Sequence, residues 1–337
     1  MTDISEAGHP VAGGYPAGAW LPSGPLRMTP ARWTVLALAV PVALALIGWA
    51  GFNLVSSFAK GSYPFSFAVP VSDGQVNVNL NVGNVTMRQV PGQQARVTGT
   101  VQYGLFRPDM SANPAPGGSA VGVNCDGVAN NCNVNATLDV PARTAVTLAS
   151  GGGDIGVSGF SSNLTLSAAG GNLTASNLAG KLLLDTGGGD LSGSGLSGTI
   201  QISTEGGNVN AGNLVGPMRV DTGGGDLSGN GFTGNLQLST EGGNIDANAV
   251  TSRQVSVQSG GGDVTVVFSQ PPQSVAITAQ GGNVTVILPP GGTRYHISTP
   301  DSQGSNVTYP SALASTASHN AITIDSGGGD ITISQAG

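Results

Sequence analysis

The sequence predicts an all-β protein: a parallel β-solenoid, right-handed and β-helix-like, of about ten 18-residue coils, preceded by one transmembrane helix. Three observations carry this. Glycine reaches 55 of 337 residues while aromatics make up only 5%, so the chain cannot build a core around large rings. A glycine cluster closed by Asp or Asn returns at a nearly fixed period. One uncharged apolar stretch stands apart near the N-terminus.

Residues 1–31 are rich in Gly, Pro and Ala without apolar periodicity, and read as a disordered cytoplasmic tail. The stretch "WTVLALAVPVALALIGWAGF", residues 33–52, carries no charge over twenty residues, enough to span a hydrocarbon layer of ~30 Å. Trp33 and Trp49 sit near its ends as interfacial aromatics do. Arg27 and Arg32 precede it and only Lys60 follows closely, which places the N-terminus in the cytoplasm and the C-terminal domain outside. A signal anchor over 32–55 is expected; a cleaved signal peptide is the alternative, disfavoured by the long leader.

Residues 62–145 alternate like strands but irregularly, and read as an N-terminal β cap. Within it "QVNVNLNVGNV" has the form of one further coil with Asn84 at its corner, and "CDGVANNC" places Cys125 and Cys132 across a Gly/Asn loop. Outside the cytoplasm a disulfide is the natural reading, with two free thiols as the alternative.

Residues 146–337 carry the repeat. Asp154, Asn172, Asp190, Asn208, Asp226, Asn244, Asp263 and Asn283 each close a glycine cluster, at spacings of 18, 18, 18, 18, 18, 19 and 20. Asn306 and Asp330 continue the series with polar insertions. Six and eight residues before each of the first eight corners stands an aliphatic residue, as does one residue after; four before stands Ser, Thr or Ala. The period within a unit is two, which is strand, corner, strand. Eighteen residues cannot bury their own apolar face, but stacked copies can. Coils ~4.8 Å apart would make ten coils about 50 Å long, and right-handed winding is expected of parallel crossovers.

The glycines are expected at φ > 0, and a side chain's bulk there is expected to obstruct the neighbouring corner, so that Gly188→Val would unfold or aggregate the domain. "GGGD" and "EGGN" alternate, which implies two corner shapes taken in turn and keeps like charges two coils apart. Asn can also hydrogen-bond up and down such a stack.

The segment "LDVPARTAVTLASGGGDIGVSGF", followed by units like "GNLQLSTEGGNIDANAV", resembles the bacterial "putative adhesin" domain family, a family of unknown function; the likeness covers about residues 70–334. The resemblance implies a leading membrane anchor and an extracytoplasmic solenoid. It brings no catalytic residues.

The chemistry is sparse. A net charge of −7 with 11 Lys and Arg leaves no nucleic-acid footprint. A phosphate loop needs Lys and Ser or Thr after its glycines, and here an aliphatic residue follows. Asp185, Asp190, Glu205, Asp221, Asp226 and Glu241 gather near one corner of successive coils and are the calcium candidates; a solvated, solubilising face is the plainer reading, with no cofactor. A polysaccharide-acting enzyme would need paired carboxylates. His296, His319, Tyr295 and Tyr309, the one locus of mixed chemistry, read as a C-terminal cap. The expectation is a non-catalytic surface module, its partner an envelope polymer or protein.

Overall fold

The computed structural model divides the chain into two compact units, Met1–Leu54 and Val55–Gly337. It describes residues 41–50, 61–80, 83–104, 107–115, 118–124, 132–300 and 304–337. In the first unit, residues 41–50 are α-helical and exposed along their whole length. Among the described residues no helix is long and apolar enough to cross a membrane. Ten helical residues rise about 15 Å, half the thickness of a hydrocarbon layer. The transmembrane helix expected over 33–52 is therefore described only in part; its remainder and the tail over 1–31 lie outside the described residues.

The second unit is all-β, with 25 strands and one 3₁₀ turn at Ser311–Leu313. Its first seven strands are β1 (Gly61–Val69), β2 (Gln75–Leu80), β3 (Asn84–Val90), β4 (Ala95–Tyr103), β5 (Asp109–Ala115), β6 (Gly118–Asn124) and β7 (Asn133–Pro141). From Ala145 onward the chain makes coils. Each coil runs strand, glycine corner, strand, bend, and pairs in parallel with its neighbours in near-unbroken register. Leu182 lies beside Ile200, Ile200 beside Met218, Met218 beside Leu236, and Leu236 beside Val255. After the corner, Leu191 lies beside Val209, Leu227 and Ile245 following in turn. The aliphatic columns face inward and are buried without exception; Leu184, Ile202, Val220 and Leu238 form one such column. Each buried aliphatic side chain stabilises by about 1.5–3 kcal/mol, so a coil with four or five of them closes its share of the core only when stacked.

Both ends depart from the order of the sequence. At the C-terminal end Ser274–Ala279 pairs directly with Ala321–Ser326, and Val284–Leu288 with Ile331–Gln335. The strands His296–Ser298 and Val307–Thr308 pair on the far side of that last coil. The coil at Asp330 thus lies between those at Asn283 and Asn306, and the expected ninth and tenth coils exchange places. The N-terminal end does the same. β3 lies between β7 and Ile155–Ser158, so the coil cornered at Asn84 is inside and the β6–β7 coil is outside. Four of the cap strands, β2, β3, β6 and β7, therefore belong to two further coils, which makes twelve coils rather than ten. The cap proper is antiparallel: β4 on β7, β1 on β4, and β5 on β6.

The corner glycines correct one expectation. In the repeating GGGD and GGN corners from Gly151 to Gly282 none has φ > 0; positive φ falls on the opposite bend, at Gly180, Gly198, Gly216 and Gly234. What the corner demands is closeness. A Cβ on Gly189 would stand 2.1 Å from the carbonyl oxygen of Gly171, and one on Gly225 would stand 2.0 Å from that of Gly207. Gly188 has open space around it. The glycine next to the Asp or Asn lets stacked backbones touch, and Gly188 does not.

Candidate functional site

Two hydrogen-bond ladders run through the corners. In the exposed one, the side-chain Oδ1 of each corner Asp or Asn accepts the backbone N–H of the next corner. Asn172 donates to Asp154 (2.8 Å), Asp190 to Asn172 (2.9 Å), Asn208 to Asp190 (2.8 Å) and Asp226 to Asn208 (2.9 Å). The reordered C-terminal coils keep the sequence of types: Asn283 donates to Asp263, Asp330 to Asn283, and Asn306 to Asp330. Read along the stack, Asp and Asn alternate from Asn84 to Asn306. Read along the chain, Asn283 and Asn306 break the alternation; the crossover restores it.

The buried ladder uses the small polar column four residues before the corner. Thr240 Oγ1 accepts the Gly243 N–H (3.0 Å) and donates to the Gly225 carbonyl (3.3 Å). Thr204 and Thr186 repeat the arrangement two and three coils earlier. These hydroxyls satisfy corner backbone groups that the close glycine packing takes away from water.

The calcium candidates are not brought together. Asp190 and Asp226 give an oxygen each to the exposed ladder. Asp221 is held by Arg219 through two hydrogen bonds of 2.7 and 2.9 Å. Asp185 stands beside Ser167 and Ser203 in the strand register, and Glu205 and Glu241 are exposed at the corner. Among the described residues no group of three or more His, Cys, Asp or Glu could hold a metal ion.

Two depressions indent the outer face before the corner. One, of about 230 Å³, is lined by Arg219, Asp221, Gln237 and Gln258 among others. The other, of about 470 Å³, lies beside Glu241, Gln258 and Gln280. Neither holds the two carboxylates a glycosidase requires. At the C-terminal end Tyr295 is buried and bridges to Ala314, while His296 and His319 are exposed. Burial raises the Tyr295 phenol above its ordinary pKa. That locus forms a cover over the last coils.

The cap holds a cavity that the repeat pattern did not indicate. It measures about 540 Å³ and is lined by Tyr63, Phe65, Phe67, Arg107 and Pro108 with the intervening backbone. The Arg107 guanidinium lies 4.2 Å from the centre of the Tyr63 ring, and the Tyr63 hydroxyl donates to the Pro108 carbonyl at 3.0 Å. The alternation of aromatics at 63, 65 and 67 is the sequence signal for it. Cys132 is disulfide-bonded, and Cys125 is the chain's other cysteine. Cys132 stands just before β7, in the outermost N-terminal coil; Cys125 lies outside the described residues.

A stacked parallel scaffold with glycine-led corners, Asp/Asn and Thr ladders and an antiparallel cap defines a β-repeat domain whose regularity resides in its corners. The chain belongs to the Toastrack DUF4097 family, whose pattern matches residues 59–336. The family is one of unknown function, and this bears out the adhesin-like resemblance of the coil sequence. No curated protein matches the chain. Among solved structures, a "putative adhesin" from Parabacteroides merdae aligns over 83% of this chain and 97% of its own, at 8% identity and a TM-score of 0.44. A "putative lipid binding protein" from Parabacteroides distasonis covers 81% and 97%, at 11% identity and a TM-score of 0.35. A "putative cell adhesion protein" from Clostridium sporogenes covers 81% and 100%, at 14% identity and a TM-score of 0.18. At such scores these likenesses carry no functional argument.

Proposed function

We propose that the chain is a single-pass, membrane-anchored envelope protein whose extracytoplasmic solenoid serves as a non-catalytic, adhesion-like interaction module. The observation that carries the anchor is the helix over 41–50. Leu44, Leu46, Ile47 and Trp49 are 62, 59, 68 and 69% exposed, and the helix shows no polar face. A helix apolar all round needs an apolar surrounding. The uncharged stretch it belongs to has the length of a bilayer span. The disulfide at Cys132 supports an oxidising compartment for the solenoid. The solenoid's outer faces are lined with Ser, Thr, Asn and Gln, suited to hydrogen bonding with an envelope polymer or protein. No carboxylate pair lines the cavities described above, which favours binding over catalysis.

The test is topological. In intact, wall-stripped cells added protease is expected to digest a solenoid epitope and spare an N-terminal tag, and the chain is expected to resist carbonate extraction. A protected solenoid would reverse the topology. A shortened, soluble product would establish cleavage.

A further inference from the structure

We propose that the antiparallel cap is a docking surface for anionic phospholipid headgroups, and that it seats the solenoid with its N-terminal end on the bilayer. The inference rests on the membrane-anchor reading and adds to it a second, electrostatic contact.

The charges of the chain are segregated. Residues 60–145 hold five Lys and Arg against four Asp and Glu; residues 146–337 hold four against twelve. Within the cap only Arg88 is ion-paired among the described residues, with Asp139. Arg96 and Arg107 have no carboxylate partner there. Arg96 donates instead to the Ser66 hydroxyl at 2.9 Å, and Arg107 lies on the Tyr63 ring. The two groups reach opposite faces of one strand, β1: Arg96 the face that carries Ser66, Arg107 the face that carries Tyr63 and the cavity; both residues are exposed.

That strand is unusual for this chain. It carries Tyr63, Phe65 and Phe67 in a protein that is 5% aromatic, and Tyr103 packs beside Tyr63 with ring centres 5.8 Å apart. Tyr63 and Phe67 remain half-buried rather than enclosed. Among the described residues β1 pairs with β4 alone and its other edge has no strand partner, and Pro64 within it removes one donor from that edge. Amphipathic aromatic rings and Arg107 around an open cavity, with Arg96 across the same edge strand, match the chemistry of the headgroup layer, where Tyr and Trp settle and cations find phosphate.

The tether sets the partner. Eight residues separate Phe52, the end of the apolar stretch, from Gly61. Fully extended they reach at most about 30 Å. The cap cannot leave the neighbourhood of the headgroups, and at such effective concentration a weak contact suffices. The acidic coils are repelled by the same anionic surface, which favours the cap-down orientation.

The experiment uses the full chain in lipid nanodiscs of phosphatidylcholine, alone or with phosphatidylglycerol. Hydrogen exchange is followed at β1 and β4, with the coil strands as internal reference. Slower exchange in β1 on phosphatidylglycerol discs, abolished by high salt, is expected. Each Arg near an anionic surface is worth about 1 kcal/mol, or roughly fivefold in occupancy, so Arg96→Glu with Arg107→Glu is expected to remove the difference. The salt arm needs no variant and stands if that variant fails to fold. Equal β1 exchange on both lipids, with the chain still retained in the discs, overturns the docking and leaves the anchor intact. Failure to enter the discs overturns the anchor; flotation of the same chain with phosphatidylglycerol vesicles then decides the docking, which is rejected if binding is absent or insensitive to salt.

Discussion

The backbone N–H of Asn244 donates to Oδ1 of Asp226 at 2.7 Å, and the Asn244 side-chain amide donates to that same oxygen at 3.3 Å. One carboxylate oxygen thus holds both the backbone and the side chain of the next coil. The acceptor is what matters, and the charge only strengthens it. Asp226→Asn keeps an Oδ1 in place and is expected to change stability by less than about 0.5 kcal/mol. Asp226→Ala leaves the Asn244 N–H without its partner and is expected to cost about 1–2 kcal/mol. Thermal unfolding of the two variants checks this; equal losses would mean that charge, not geometry, holds the corner.

Adjacent glycines in one corner are expected to differ sharply. A Cβ at Gly189 meets the Gly171 carbonyl at 2.1 Å, whereas Gly188 faces open space. Backbone cannot move aside as a flexible side chain can, so Gly189→Ala forces two coils apart. A loss of about 3 kcal/mol or more is expected, beyond the usual cost of an overpacked site. Gly188→Ala should be nearly neutral. Denaturant unfolding of both proteins decides it, and a destabilised Gly188→Ala would return the corner to an argument from φ.

This pair also marks how far the sequence could be read. The columns of Leu, Ile and Val gave strand, corner and strand because alternation and stacking follow directly from burial. The Asp/Asn alternation was legible as a stack that keeps like charges two coils apart, and the ladder at Asp154, Asn172, Asp190 and Asn208 has that order. The role assigned to glycine held for contact and failed for torsion: a side chain does obstruct the neighbouring corner, but at Gly189 rather than Gly188, and composition does not show which glycine of a cluster is the close one. The exchange of the end coils was hidden because Asn306 and Asp330 look like successive corners. Only the break in their alternation, Asn after Asn, hinted that they are not neighbours. The cap cavity was overlooked because its aromatics lie outside the repeat.

The buried hydroxyls should be costlier than their size suggests. Thr240 satisfies a Gly243 N–H and a Gly225 carbonyl, and is 3% exposed. Thr240→Val keeps the volume and removes both bonds. A loss of about 1–3 kcal/mol is expected from the buried groups left unpaired. Thr240→Ser restores the hydroxyl and should recover most of it. If Ser and Val are equally damaging, the methyl contact rather than the hydroxyl holds the column.

Reduction of the disulfide should be mild. The Cys125–Cys132 loop is short, so its closure limits the unfolded chain by only about 2–3 kcal/mol in the chain-entropy view. Its described end, Cys132, leads into β7 on the outermost coil. Melting with and without reductant is expected to show a small downward shift with the cooperative transition retained. Loss of the transition on reduction would show that the end coil nucleates the stack.

The order of the last coils can be tested by two matched truncations. Ile324 lies in the strand Ala321–Ser326, which pairs with Ser274–Ala279 on one side and His296–Ser298 on the other. It is completely buried, while Ile297, which lies beside Ile322 on the outer coil, is only partly buried. If the coils stacked in chain order, Ile297 would be the interior residue and Ile324 the terminal one. The observed order reverses their weights. Ile324→Ala opens a cavity between two coils and is expected to cost about 2–5 kcal/mol. Ile297→Ala removes a half-covered side chain at the end of the stack and should cost about 1 kcal/mol. Limited proteolysis gives an independent readout: Ile324→Ala should expose the segment 290–320 to cleavage, because its strands lean on the coil that is weakened. The opposite ranking in melting temperature, or cleavage confined to the last residues of the chain, would restore the sequential order.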